Sequence, residues 1–578
     1  MKNALREHPY VTMLLLAAVM TLPWIFLGEF YTKGEPREAC EALSMIRQGH
    51  WIVPVGYADE IGYKPPLMHW FIAGVSLLTG SVSEWTSRLP SALALFGLTV
   101  LFFDFLRKRT SLQTSMLAAL LMLSSFEMHR NGLECRVDMT LAFFMAASML
   151  TLYRWHEKGM KGFSYVSALL MACASLVKGP VGMILPVLIF ALFALMRGTG
   201  FWKVVGKSAL LVVVSLIPLL VWYYLAWKDQ GDYFLSVVFA ENIGRFAGMK
   251  DATLGIQYNL GHEGPFWYYL PALMAGLLPY SLVLPVAAVL FKWKSWWKSA
   301  QPNTLTFWKG VRTTDPLVLY SVLVVVVLMV FYAIPSSKRS VYILPLYPFA
   351  AYLLTRVMAW LNDEKPVVIL VLQRTVFVVS TVFLVFFGAA FWVDWESIAG
   401  SILTDAHTLH DVGVVGNAFL HPGLWVLVGW AQFFIVLAYV SGKRADRRSG
   451  NALALLIALM MSLQIFLEAA VFPAFKNSYS SRPFAEQMAK KYDLQHQGYV
   501  LNRLTEYRNL YGLNFYLDLP FRNFEKEWPR SGYLVLGEKG LEKIRKTYAN
   551  RYRFDELERS DVYNELNDEI VVCRIVAL

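Results

Sequence analysis

Apolar runs recur along this chain, broken by polar loops, on a length scale that fits no soluble domain. They fall near 11–28, 89–106, 111–126, 138–154, 163–177, 180–196, 207–227, 267–291, 316–334, 341–360, 367–393, 417–441 and 451–471. A helix needs roughly 20 predominantly apolar residues to cross a bilayer, so the pattern predicts a polytopic α-helical protein. Its spanning helices number about thirteen. The first run passes into Pro23-Trp24 without a small-residue cleavage site, so it reads as a span rather than a removed leader.

Two polar stretches are much longer than a connection requires. Residues 29–88 separate the first two runs and carry their own helical patterns. In 35–48, Ala39, Ala42, Leu43 and Ile46 share one face and the charges take the other, the signature of an amphipathic helix. Residues 66–79 are apolar but too few to span. Both are expected to lie on the membrane surface. The tail, 472–578, turns polar and mixes strand-like pieces at 498–502, 532–537 and 569–576 with helix-like ones at 482–491 and 538–548. That predicts a small α/β domain. The chain divides into a membrane unit, 1–471, and this tail domain, 472–578.

Composition supports the class: 56% of residues are hydrophobic and only 16% charged, against ~25% charged in soluble domains. The net charge of +11 suggests nucleic acid until its distribution is read. Basic residues crowd alternate short loops, with Arg107, Lys108 and Arg109 in one, Lys203 and Lys207 in another, and Lys443 and Arg444 in a third. This is the positive-inside bias, which puts the N-terminus in the cytoplasm and the tail domain outside. It excludes a nucleic-acid partner and makes membrane lipids the surroundings. The four cysteines have no metal-ligand spacing. Cys40 and Cys135 fall on the outer side, where a disulfide could form.

Candidate chemistry lies where ionisable residues meet span ends on that outer side. These are Glu35 and Arg37 after the first span, Lys64 in YKPP, Asp138 in CRVDM and Lys178 in LVKGP. Glu241 and Arg245 in FAENIGRF, His262, and Lys338, Arg339 and Tyr342 in SSKRSVYILP complete the set. Lys178, Lys338 and Arg339 violate the positive-inside bias. Singly, such cations snorkel to head groups; together with carboxylates they suit a phosphate-bearing substrate. A carboxylate beside them can take a proton from an acceptor hydroxyl. Asp138 could instead serve as a first-turn helix acid, and both roles are compatible.

The stretches GEPREACEALSMIRQGHWIVP, YKPPLMHW, SRLPSAL, CRVDMTLAFF, LVKGPVG, PFWYYLPALMAGLLPYS and SSKRSVYILPLYP occur in this order over about residues 8–360. Together they resemble the aminoarabinose-transferase and protein-mannosyltransferase branch of the GT-C glycosyltransferases. The resemblance implies a GT-C membrane fold and inverting transfer from a polyprenyl-phosphate sugar. It places the reaction on the outer face of a bacterial inner membrane, with lipid A, another glycolipid or protein Ser/Thr as acceptor. It also implies Asp138 as a catalytic acid residue and Lys64 and Lys178 as donor-binding lysines. The family's first-loop acid pair is Gly34-Glu35 here, so Glu35 is the remaining candidate base. Where aminoarabinose transferases hold a metal with a Glu before Lys-Pro and a later His, this chain has Tyr63 and Ala240-Glu241-Asn242. No metal or other cofactor is therefore expected.

Two other readings exist. A lipid or sugar transporter would show related halves with midplane polar groups, and no such halves are visible. An oligosaccharyltransferase of the same superfamily would carry Trp-Trp-Asp in its tail domain, where Trp528 is the sole tryptophan.

Overall fold

The computed structural model describes residues 7–58, 60–239, 263–291, 310, 312–444, 452–501 and 509–578. Among them, eight helices are long and apolar enough to cross a membrane. Two further pairs, Phe126–Gly132 with Val137–Glu157 and Phe266–Gly276 with Tyr280–Leu290, are bent by 115° and 112°. Shorter apolar helices at Leu112–Leu123, Tyr165–Lys178 and Val181–Met196 take the remaining runs. The run expected at 417–441 begins instead at Leu424, because His421-Pro422-Gly423 breaks it from the preceding helix Ala406–Leu420. The missing N–H of Pro422 and the freedom of Gly423 explain that break.

The bundle has two chemically distinct ends. One carries the basic loops, where Arg154 and Lys108 both pair with Asp104 at 2.9 and 2.8 Å and Lys207 donates to the Gly162 carbonyl. The other carries the first long loop, the breaks at 133–136 and 178–180, the segment 335–346 and the tail.

Local sequence chemistry fixes the second end. Ser83 and Thr86 cap the helix Glu84–Arg107 reciprocally, Ser83 Oγ accepting from the Thr86 amide and Thr86 Oγ1 from the Ser83 amide. That cap holds Arg88 in the next turn. The helix Tyr165–Lys178 stops at Gly179, whose φ of +88° is open to glycine. Gly182 then packs so closely on the Ala174–Ser175 backbone that a Cβ would lie 2.5 Å from the Ala174 carbonyl carbon. The KGPVG motif is thus a tight turn that aims Lys178.

The first long loop does form helices at Gly34–Gln48 and Leu67–Thr79. The second exposes Phe71, Leu77 and Leu78, as a surface helix should. The first differs from expectation: both its faces are covered, and Glu35, Glu38 and Glu41 are buried with its alanines. The tail is the reason. Its helix Tyr511–Tyr516 lies over this helix, with the Cys40 thiol donating to the Tyr511 carbonyl at 3.6 Å and Asn514 donating to the Gly56 carbonyl at 3.0 Å. Cys40 and Cys135 are buried free thiols, so no disulfide joins them.

The tail folds as a five-stranded mixed sheet. Its strands are β1 Gly498–Val500, β2 Arg522–Asn523, β3 Ser531–Gly537, β4 Tyr552–Arg559 and β5 Ile570–Ala577, in the order β2-β1-β3-β5-β4. β1 pairs in parallel with β2 and β3, and β5 lies antiparallel between β3 and β4. Helices Arg482–Lys491 and Glu538–Tyr548 appear as the sequence predicts.

Buried Glu565 accepts from the amides of Gly512 and Leu513 at 2.8 and 3.1 Å. Burial outweighs those bonds and raises its pKa from 4.5 to about 7. A carboxyl raised in the fold stabilises it fully below pH 4.5 and loses that contribution as pH climbs through 7. Spread over that interval at ~1.4 kcal/mol per pH unit, the loss is about 3 kcal/mol. Hydrogen exchange of the 509–516 segment, corrected for intrinsic rate, should therefore show weaker protection at pH 8 than at pH 5. Glu565→Gln should flatten the difference; an unchanged pH dependence in that variant would rule Glu565 out as its source.

Candidate active site

The site grows from the N-terminus of the helix Gly34–Gln48. Glu35 enters a forked ion pair with Arg88, Oε1 at 2.7 Å from Nε and Oε2 at 3.1 Å from Nη2. Its Oε1 also accepts from the Cys135 amide at 2.9 Å. Arg88 spends its other donors on the chain before the helix, at 2.6 Å from the Gly28 carbonyl and 3.2 Å from that of Glu29. Each residue is 1% exposed. Burial pushes the Glu35 carboxyl up, but the Arg88 guanidinium overrides it and holds the group below its ordinary range. Both oxygens are occupied and shielded. The expectation of Glu35 as a base therefore meets a geometric objection: this carboxylate ties the loop, a span and the 133–136 break together.

One turn further the helix presents a second cluster. Lys64 closes on Glu38 Oε1, while Glu38 Oε2 lies 2.8 Å from His69 Nε2. Burial raises Glu38, and Lys64 with His69 pulls it well below the usual carboxylate range. Arg37 sits 3.5 Å from Glu60 and over the Tyr63 ring at 5.3 Å. Glu60 is reached in turn by the Tyr511 hydroxyl from the tail. The tail thus borders the site directly.

The third cluster joins two helix ends. Asp138 stands in the first turn of Val137–Glu157 and Lys178 is the last residue of Tyr165–Lys178. The two are ion-paired, each at the helix terminus whose dipole favours its charge. The Lys178 ammonium also lies 4.4 Å from the centre of the Tyr342 ring. Beside them Arg136 pairs with Glu134, and its guanidinium faces Gly34, whose added Cβ would lie 3.7 Å from Nη2. Arg136 feels the charges of Asp138 and Glu35, and Cys135 those of Glu35, Glu38, Arg88 and Lys64. The 133–136 break therefore connects the three clusters.

Of the residues expected from sequence, Glu35, Arg37, Lys64, Asp138, Lys178 and Tyr342 converge here. Lys338 is buried and donates to the Pro335 carbonyl at 2.6 Å, while Arg339 is exposed and its amide meets the Tyr269 hydroxyl at 3.4 Å. These two flank the Tyr342 segment rather than entering the ion-pair clusters. Glu241, Arg245 and His262 lie outside the described residues, as does Asn242. Sequence reading did not select Arg88, Glu41, Glu60, His69, Glu134 or Arg136. The available signal was charge inside apolar helix patterns, as in SRLPS and PLMHW, where burial demands a partner.

The metal pair implied by the aminoarabinose-transferase resemblance does not fit, since position 63 offers a tyrosine ring stacked under Arg37. Among the described residues, Glu38, Glu41 and His69 bring one ligand atom each within 4.8 Å of one another. The sequence reading did not single out this set.

Residues 63–224 match the family described as dolichyl-phosphate-mannose-protein mannosyltransferase. An undecaprenyl phosphate-alpha-4-amino-4-deoxy-L-arabinose arabinosyl transferase of Shewanella sediminis (strain HAW-EB3) is 27% identical over 469 residues, covering 77% of this chain and 73% of its own. A transferase with the same description from Proteus mirabilis (strain HI4320) is 26% identical over 341 residues, 57% of this chain and 56% of its own. The crystal structure of ArnT from Cupriavidus metallidurans bound to undecaprenyl phosphate superposes with a TM-score of 0.69 at 20% identity, over 97% of each chain. That likeness shows the fold.

Proposed function

We propose that this chain, a GT-C superfamily glycosyltransferase of the aminoarabinose-transferase branch, moves a sugar from a polyprenyl-phosphate donor to lipid A on the outer face of a bacterial inner membrane. One observation carries the reading: Arg37, Lys64, Arg136 and Lys178 gather from separate parts of the chain at one end of the bundle, each against a carboxylate. Held this way, the cations stay charged and positioned until a phosphate replaces the carboxylate as partner. Relatives named for undecaprenyl-phosphate sugars support the donor class.

In the reaction an acceptor oxygen attacks the anomeric carbon and the bond from that carbon to the phosphate oxygen breaks. The departing polyprenyl phosphate carries the negative charge that Lys64 and Lys178 neutralise. Where the acceptor is a hydroxyl, Asp138 takes its proton, because its carboxylate is partly accessible and stands beside the donor-binding Lys178. Glu35 positions the loop through Arg88. Residues 1–471 form the catalytic membrane unit, with the N-terminus cytoplasmic, and 472–578 a periplasmic domain that covers the first loop. No relative or fold neighbour above is described as a transporter, which leaves that alternative without support.

Mass spectrometry of lipid A and of periplasmic glycoproteins, deletion strain against parent, tests the acceptor. Loss of a sugar-mass adduct from lipid A is expected. Loss confined to glycoproteins would move the activity to protein acceptors, and no change in either would reject both.

A further inference from the structure

The helix Gly34–Gln48 sets Glu38 and Glu41 one turn apart, and the helix Leu67–Thr79 points His69 between them. His69 Nε2 lies 2.8 Å from Glu38 Oε2 and 3.1 Å from Glu41 Oε2. All three residues are buried, His69 completely. An imidazole nitrogen carries at most one proton and so serves one carboxylate. Glu38 takes that bond, and among the described residues Glu41 Oε2 remains buried without a hydrogen-bond partner. Such an orphaned carboxylate oxygen costs free energy unless something positive meets it.

The neighbouring cations do not meet that demand. Lys64 is engaged by Glu38 Oε1, and Arg37 lies 3.5 Å from Glu60 but 3.9 Å from Glu41 Oε1, on the far side of its carboxylate. Among the described residues no hydrogen bond at His69 Nδ1 fixes the ring's tautomer, so the ring proton can shift from Nε2 to Nδ1 and leave Nε2 a lone pair for a cation. The two Nε2–oxygen separations, 2.8 and 3.1 Å, are shorter than the ~3.3–3.6 Å edges of a tetrahedron built on bonds of ~2.0–2.2 Å to nitrogen and oxygen, so a bound cation would spread the three groups slightly. Two carboxylates with an imidazole favour zinc or a neighbouring transition ion over calcium or magnesium.

We propose that Glu38, Glu41 and His69 form a divalent-cation site of the zinc type. None of the three occupies the positions at which the aminoarabinose transferases place their metal ligands. A cation there competes with Lys64 for Glu38, so filling the site turns the Lys64 ammonium toward a donor phosphate; this consequence, unlike the site itself, rests on the function proposed above.

The test uses the full chain in detergent, stripped with a chelator and titrated with Zn²⁺. Elemental analysis should find one zinc per chain, and the melting temperature should rise by roughly 5 °C at a hundredfold excess over Kd. Cobalt in place of zinc should give visible absorption bands that His69→Gln and Glu41→Gln abolish and Glu486→Gln, at an exposed carboxylate, preserves. Wild-type protein that binds no zinc at micromolar free ion overturns the site, whatever the variants do. So does undiminished cobalt absorption in both ligand variants. Undecaprenyl phosphate binding should tighten at least threefold when zinc is added. Full metal occupancy with unchanged lipid binding would overturn the release of Lys64 and leave the site standing.

Discussion

Arg88→Ala should leave little folded protein in the membrane. The substitution strands the Glu35 carboxylate, which is 1% exposed, and removes the donors that hold the Gly28 and Glu29 carbonyls. Breaking a buried ion pair by deleting one partner costs ~3–5 kcal/mol, a large share of the ~5–15 kcal/mol that holds a typical domain together. Arg88→Lys should recover only part of the loss, since one ammonium cannot reproduce the fork on Oε1 and Oε2. Glu35→Gln should likewise lower the melting temperature, because it leaves the guanidinium unpaired. Replacing both partners by apolar residues should be milder than Arg88→Ala alone, because no charge is then left buried. Thermal melting and detergent-resistant yield decide the matter. A Glu35→Gln protein that melts like wild type yet transfers a hundredfold more slowly would restore Glu35 as the base.

Much of this architecture was legible in the chain because bilayer thickness leaves few choices. Apolar runs of the right length had to become helices, and cations in short loops had to sort to one end. The clusters were legible only in part. Lys64, Asp138 and Lys178 stood out as charges at span ends, but their partners are side chains from other segments, and sequence does not print pairings. Arg88 closes the first loop in the sequence reading and looks like an ordinary loop cation; only the fold shows it buried in the first turns of the helix Glu84–Arg107, where Glu35 from another segment meets it. The helix Gly34–Gln48 was misjudged for a related reason. Its charged face looked solvated, and nothing in the first loop announces that Tyr511–Tyr516, far along the chain, will cover it. In the tail, β4 escaped notice because YRFDELER is rich in charge; at a sheet edge one side of the strand stays wet and tolerates it.

Asp138→Asn should reduce transfer to a hydroxyl acceptor by ~10²–10⁴-fold, the usual contribution of a general base, while the protein still folds. Folding survives because the Asp138–Lys178 pair is partly open, with the two side chains 13% and 25% exposed, so neither group is stranded in a dry interior when the other changes. The two variants should then separate kinetically. If Asp138 accepts the proton, its loss lowers kcat and leaves KM for the lipid donor nearly constant. Lys178→Ala, which removes a cation from the phosphate, should raise KM for the donor and lower kcat as well, since the leaving phosphate gains charge in the transition state. Should Asp138 serve only to hold Lys178 in place, Asp138→Asn would copy the Lys178→Ala pattern, with donor KM rising. An acceptor phosphate on lipid A is already ionised and needs no base. With such an acceptor Asp138→Asn should cost far less than a hundredfold, while Lys178→Ala should remain as damaging as before. The ratio of the two losses therefore reads out the chemistry of the acceptor oxygen as well as the role of the carboxylate.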